Sequence, residues 1–167
     1  FSGIEPNPRV SSVNAAAKLA REQKADFIVA VGGGSVIDAS KAIAAAVKYE
    51  GDAWDLVKDG SLIKDALPLF SVLTLAATGS EYDAPGVISN MQTNEKQAIS
   101  SPLLFPKASF CDPSVSVSVP AWHTAAGAAD IMSHTFEQYL VSEGNDVSDG
   151  FCETILKTVI KNAPICI

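Results

Sequence analysis

The 167-residue chain carries 12 Lys and Arg against 19 Asp and Glu, a net charge of −7, and 47% of its residues are apolar. That is the composition of a globular chain holding one domain, or one domain and part of another. Its acidity argues against nucleic acid and anionic membrane surfaces as general partners. No run approaches the roughly 18 consecutive apolar residues of a membrane span, and no basic-then-apolar leader is visible at the start. Cys111, Cys152 and Cys166 form no C-x-x-C pair, which points to a reduced, cytoplasmic setting.

Ser11-Ser12 reads as a helix N-cap, and Val13, Ala16, Ala17, Leu19 and Ala20 give a helical stripe ending near Lys24. Phe27 to Val31 reads as a strand buried on both faces. A second, alanine-rich helix is expected from Ser35 to about Val47. The stretch from Tyr49 to Leu67 is polar and irregular. Leu69 to Leu75 is another apolar strand, followed by Ala76-Ala-Thr-Gly-Ser-Glu81. Gly86 to Asn90 and Lys96 to Ile99 are expected to pair around Gln92-Thr-Asn-Glu95. Ala108 to Cys111 is a short strand ending at Asp112-Pro113. The character then changes. Pro120 opens a long helix from Trp122 to Leu140. Ser148 to Lys161 forms another, with Phe151, Ile155, Leu156, Val159 and Ile160 on one face. The fold class expected is α/β: a Rossmann-like parallel sheet domain over residues 1–115, then the first helices of an all-α domain over 116–167. Both ends read as cut, so the expectation is a piece of a longer protein.

The most informative stretch is Phe27-Ile-Val-Ala-Val-Gly-Gly-Gly-Ser-Val-Ile-Asp38. An apolar strand stops at three glycines and a helix follows. That is how a parallel sheet builds a phosphate-binding turn: the backbone N–H groups lie open and the helix dipole adds positive charge. Ile37 stands where G-x-G-x-x-G would need its third glycine, and no G-K-[ST] follows, so neither common fingerprint is present. Ser35 and Asp38 also have the S-x-x-D spacing of a capping box, which leaves Asp38 open between cap and ligand contact. Thr74, Thr78 and Ser80 follow the second strand at the end that faces the same crevice. They read either as cofactor contacts or as an ordinary capped loop. On pattern alone, Lys96 is a solvated strand-edge lysine or a phosphate or ribose contact.

In the long helix, Asp130 and His134 are spaced i, i+4. Carboxylate and imidazole share one face, about 6 Å apart at Cβ, and both suit Zn²⁺ or Fe²⁺. A helical Asp–His pair without metal has the same spacing. His123 lies about 16 Å from His134 along a straight helix and cannot share an ion with it.

Together these segments resemble the iron-containing (group III) alcohol dehydrogenases, within them the butanol dehydrogenase and broad-specificity aldehyde reductase branch. The segments that carry the resemblance are Phe1-Ser-Gly-Ile-Glu-Pro-Asn-Pro8, the glycine turn through Asp38 with Lys41, Leu73-Thr-Leu-Ala-Ala-Thr-Gly-Ser-Glu81, and Glu95-Lys-Gln97. Ala126-Gly-Ala-Ala-Asp130 with His134, and Glu137-Gln-Tyr139, complete the set. Ala76 departs from the branch, which often has proline there.

The resemblance implies a dinucleotide-binding domain, a helical domain and a metal in the cleft between them. It implies that Gly33, Gly34 and Ser35 hold the pyrophosphate of NAD or NADP. Asp38, Thr74, Leu75, Thr78 and Ser80 would line the cofactor site, and Lys96 would reach the nicotinamide-side ribose. Asp130 and His134 match the first two ligands of Fe²⁺ or Zn²⁺. The family's other two ligands are histidines further downstream, without counterpart here, as are its first strand and the loop that selects NADP over NAD. The activity implied is hydride transfer between nicotinamide and a small primary alcohol or aldehyde, in a cytoplasmic enzyme that is a homodimer at full length. The 167-residue piece is expected to be inactive. The alternatives are a relative of glycerol dehydrogenase or dehydroquinate synthase, or a non-catalytic nucleotide-binding fragment.

Overall fold

A computed structural model describes residues Phe1–Ile167, which divide into two compact units. One consists of Phe1–Thr74 and Gly79–Pro113, the other of Leu75–Thr78 and Ser114–Ile167.

The first unit contains helix α1 (Val10–Glu22), strand β1 (Ile28–Gly32), helix α2 (Gly34–Ala46) and helix α3 (Ala53–Lys58). Strands β2 (Leu69–Leu73), β3 (Gly86–Asn90), β4 (Glu95–Ile99) and β5 (Ala108–Phe110) follow. β1, β2 and β5 form a parallel sheet in that order, with Ile28 opposite Leu69 and Gly32 opposite Leu73. β3 and β4 form a separate antiparallel pair, with Gly86 opposite Ile99.

Helix α2 is the hub. Alanines at 39, 42, 44, 45 and 46 are all buried, and their small side chains let neighbours approach from every side. Val13, Ala16 and Ala17 of α1, Leu56 and Val57 of α3, Ile88 of β3 and Ile99 of β4 form one core with it. Ile37 packs separately against Ala30, Leu69 and Leu73 of the sheet. At the far end of α2, Arg21 donates from Nη1 to the carbonyls of Ala46 at 2.6 Å and Tyr49 at 3.1 Å. A cation thus closes the negative end of the helix dipole.

The second unit is built from helices α4 (Ala121–Tyr139) and α5 (Asp146–Cys166). Pro120 is the N-cap of α4, and Asn145 caps α5 by accepting from the N–H groups of Val147 and Ser148. Tyr139 Oη lies 3.4 Å from Glu153 Oε1 and links the two helices.

Several expectations are corrected. The N-cap of α1 is Arg9, and Ser12 instead donates from Oγ to Glu5 at 2.9 Å. No side chain caps α2, so the Ser35–Asp38 capping box does not form. β1 is covered on one face only: Val29 and Val31 are exposed while Ala30 and Gly32 are buried. Helix α3 lies in the stretch expected to be irregular, started by Asp52, whose side chain accepts from Trp54 N at 2.7 Å. α5 runs through Pro164, and its covered stripe is Cys152, Leu156 and Val159, with Phe151, Ile155 and Ile160 exposed.

Candidate functional site

The carboxyl ends of β1 and β2 lie side by side. The ladder continues past its last pair, because Thr74 N donates to Gly32 O at 3.1 Å. The first residue after β2 is therefore fixed beside the glycine turn, at the strand end where open α/β sheets bind ligands.

The three glycines differ in purpose. A Cβ on Gly32 would lie 2.6 Å from Val36 Cγ2, so Gly32 is required by internal packing. Gly33, the N-cap of α2, has φ −87°, which any residue adopts, and Gly34 is already helical. Neither needs glycine for its backbone shape. Gly33 is half-buried and Gly34 buried, at a helix start that no side chain caps. The first N–H groups of a helix have no partner within it, so an anion fits there both by hydrogen bonding and by the dipole. Ser35 follows in the first turn, half-buried.

Asp38 and Ser80 are engaged with one another. Ser80, buried, donates from Oγ to Asp38 Oδ1 at 2.5 Å, and Val87 N donates to Asp38 Oδ2 at 2.9 Å. Both carboxylate oxygens are thus taken up by the segment after β2. Burial pushes the Asp38 carboxyl above the usual carboxylate range, against the lowering effect of those two donors and of Lys41. Thr74 is half-buried; Leu75 and Thr78, half-buried and exposed, fall in the second unit. Lys96 is an exposed residue of β4, and its Nζ donates to Asn7 Oδ1 at 2.7 Å. No contact joins it to the glycine turn.

Lys41, which the sequence marks only as part of a motif, has a fully buried ammonium. Glu95 and Gln97 also prove to be structural. Lys58 Nζ lies 2.6 Å from Glu95 Oε1, holding that carboxyl below its usual range, and Gln97 Nε2 donates to the same oxygen at 3.1 Å.

In the second unit, Asp130 Oδ2 and His134 Nε2 are 3.8 Å apart on consecutive turns of α4. That is too long for a hydrogen bond, so neither uses up the other's donor atom. Glu137 Oε2 lies 4.0 Å from the other imidazole nitrogen. One carboxylate and one imidazole, both partly exposed, suit Fe²⁺ or Zn²⁺ by donor type. No group of three His, Cys, Asp or Glu side chains is placed to hold a metal, so these two do not make a metal site by themselves. Gly127 lies one turn earlier, where a Cβ would come within 2.7 Å of Ala76 O, so its smallness is needed for packing. His123 is exposed in the first turn of α4.

Comparison with known proteins places the chain among relatives of known fold. The chain is 54% identical over 165 residues to a probable NADH-dependent butanol dehydrogenase of Bacillus subtilis, and 44% identical to the NADPH-dependent aldehyde reductase YqhD of Escherichia coli. Each match takes in 98% of this chain and 43% of the relative, so the chain spans less than half the length of those curated relatives. Among solved structures, an NADH-dependent butanol dehydrogenase A from Thermotoga maritima superposes with a TM-score of 0.94 at 41% identity, over 98% of this chain and 41% of that one. A sulfoacetaldehyde reductase from Bifidobacterium kashiwanohense, solved with NAD+, superposes with a TM-score of 0.92 at 32% identity, over 99% of this chain and 44% of that one. Residues 1–113 match the family model of iron-containing alcohol dehydrogenases, and with the parallel sheet and glycine turn already described, the chain belongs to that family.

Proposed function

We propose that the chain is the nucleotide-binding part, with two of the metal ligands, of an NAD(P)-dependent alcohol dehydrogenase or aldehyde reductase. The observation that carries this reading is the uncapped start of α2 directly beside Thr74 at the carboxyl ends of β1 and β2. The names of the relatives, NADH-dependent butanol dehydrogenases and an NADPH-dependent aldehyde reductase, support the cofactor and substrate class.

In this reading, backbone N–H groups at Gly33, Gly34 and Ser35 bind the pyrophosphate, and Gly33 and Gly34 let it approach closely. Thr74, Leu75 and Thr78 orient the nicotinamide half, and Lys96 contributes at the ribose after leaving Asn7. Asp38 and Ser80 act one step back by shaping the segment around the cofactor. Asp130 and His134 supply an oxygen and a nitrogen to Fe²⁺ or Zn²⁺, which when bound provides Lewis acidity toward the substrate oxygen. The protein's part in hydride transfer is orientation. The working enzyme is a cytoplasmic homodimer whose substrate is a small primary alcohol or aldehyde.

Titration of the 167-residue chain with NADH, followed by calorimetry, tests the nucleotide site. Saturable binding is expected, weakened at least tenfold in Gly34→Val. Binding that is absent, or indifferent to that substitution, would overturn the assignment. The same preparation is expected to reduce no butanal when supplied with Fe²⁺ or Zn²⁺, because two donors do not complete a metal site. Metal-dependent turnover would show that the set is complete in this chain.

A further inference from the structure

Lys41 has no exposed surface, and all three of its ammonium protons have acceptors. These are Ser80 Oγ at 3.0 Å, Asp83 Oδ1 at 2.6 Å and the carbonyl of Pro85 at 2.7 Å. Its neighbour on the same face of α2, three residues earlier, is Asp38, which accepts from Ser80 Oγ and Val87 N. These two side chains therefore make five contacts with four places in the segment 80–87. That segment has no helix or strand of its own before Gly86. Gly86 shows how closely it is drawn in, since a Cβ there would lie 3.1 Å from Asp38 Cα.

Fold stability alone does not account for this lysine. Burying an ammonium is costly, and buried ion pairs are often replaceable by apolar residues with little loss. What the ammonium provides, and methionine would not, is three directed bonds that hold one conformation. Thr74 and Ser80 are thereby each tied to the elements that flank the glycine turn: Thr74 by Gly32 O, and Ser80 by Asp38 and Lys41.

We propose that Lys41 is a positioning residue that, with Asp38, clamps the 80–87 segment to α2 and so holds the chain from Ser80 onward, beside the glycine turn, in its cofactor-binding conformation. The role in cofactor binding rests on the nucleotide reading above; the clamp itself does not.

Two measurements on the 167-residue chain separate these parts. In Lys41→Met, amide hydrogen exchange over residues 80–87 is expected to accelerate about tenfold, corresponding to about 1.4 kcal/mol, with β1 and β2 amides unchanged. NADH is expected to bind about tenfold more weakly. Unchanged exchange over 80–87 would overturn the clamp. Faster exchange with wild-type NADH affinity would overturn the positioning role. Should Lys41→Met fail to fold, Asp83→Asn and Ser80→Ala test the same links one at a time, because neither leaves a buried charge without an acceptor. Each is expected to give a smaller effect in the same direction on both readouts, and no effect in either variant overturns the proposal. If the wild-type chain takes up no NADH, the nucleotide reading falls with the positioning role, and the exchange result still decides the clamp.

Discussion

The two units use their residues in opposite ways. In the α/β unit nearly everything that matters is turned inward, including Lys41, Ser71, Ser80, Ser89 and Asn90, which are buried polar groups. In the helical unit the only buried apolar side chain is Cys152, and the groups of chemical interest, Asp130 and His134, lie partly open on one side of α4. The first unit is thus specified by its own interior. The second is a pair of helices joined along a narrow stripe. The proposed function would fit that difference: a nucleotide held against backbone needs a scaffold that cannot shift, whereas two side-chain ligands need only a helix to space them.

The largest test of this contrast is a core deletion in each unit. Ile88 is fully buried against α2, and Ile88→Ala is expected to destabilise the α/β unit by about 3 kcal/mol. Ile160→Ala, at a position 60% exposed on α5, is expected to change stability by no more than about 0.5 kcal/mol. Urea denaturation of both variants checks the pair. Equal losses would mean that the helical unit has an interior that its exposed faces do not reveal.

A smaller effect concerns pH. Burial raises the Asp38 carboxyl in the folded chain, so the folded state takes up this proton at a higher pH than the unfolded state. Between the two values the folded state holds more protons, and stability falls as pH rises through that window. Glu5 and Glu95, with lowered values, work in the other direction. Subtracting the Asp38→Asn profile from the wild-type profile removes their contribution. The difference is expected to decline from the ordinary carboxylate range upward and then level off. A difference that rises with pH would show that the donors Ser80 and Val87 outweigh the burial.

Sequence carried the parallel strands and the glycine turn because both are local: an apolar run, then residues without side chains. It carried the β3–β4 pair because a turn, observed at Met91–Asn94, lies between two short strands. It missed α3, a six-residue helix whose signal was one capping residue, Asp52. For Asp38, the spacing from Ser35 leaves a cap and a ligand contact equally open. Its real partners, Ser80 and Val87, are 42 and 49 residues away, and no spacing rule reaches them. The exposed face of β1 was equally invisible, since an apolar run does not record which side is covered. In α4 the pairing of Asp130 with His134 was legible from helical periodicity, but the number of donors around them is a tertiary matter.

Arg21 at the far end of α2 has a consequence for how a charged ligand arrives. It neutralises the carbonyl end of the helix and leaves the amide end as the attractive pole. The chain as a whole carries −7 and repels a dinucleotide from afar. At about 0.15 M salt that repulsion dies away within roughly 8 Å, while the amides of Gly33–Ser35 act at contact. Approach and capture are therefore governed by fields of opposite sign. Added salt relaxes the repulsive far field more than it weakens the attractive near one, so under the proposed nucleotide reading this acidic chain would meet an anionic ligand more readily in salt than in dilute buffer.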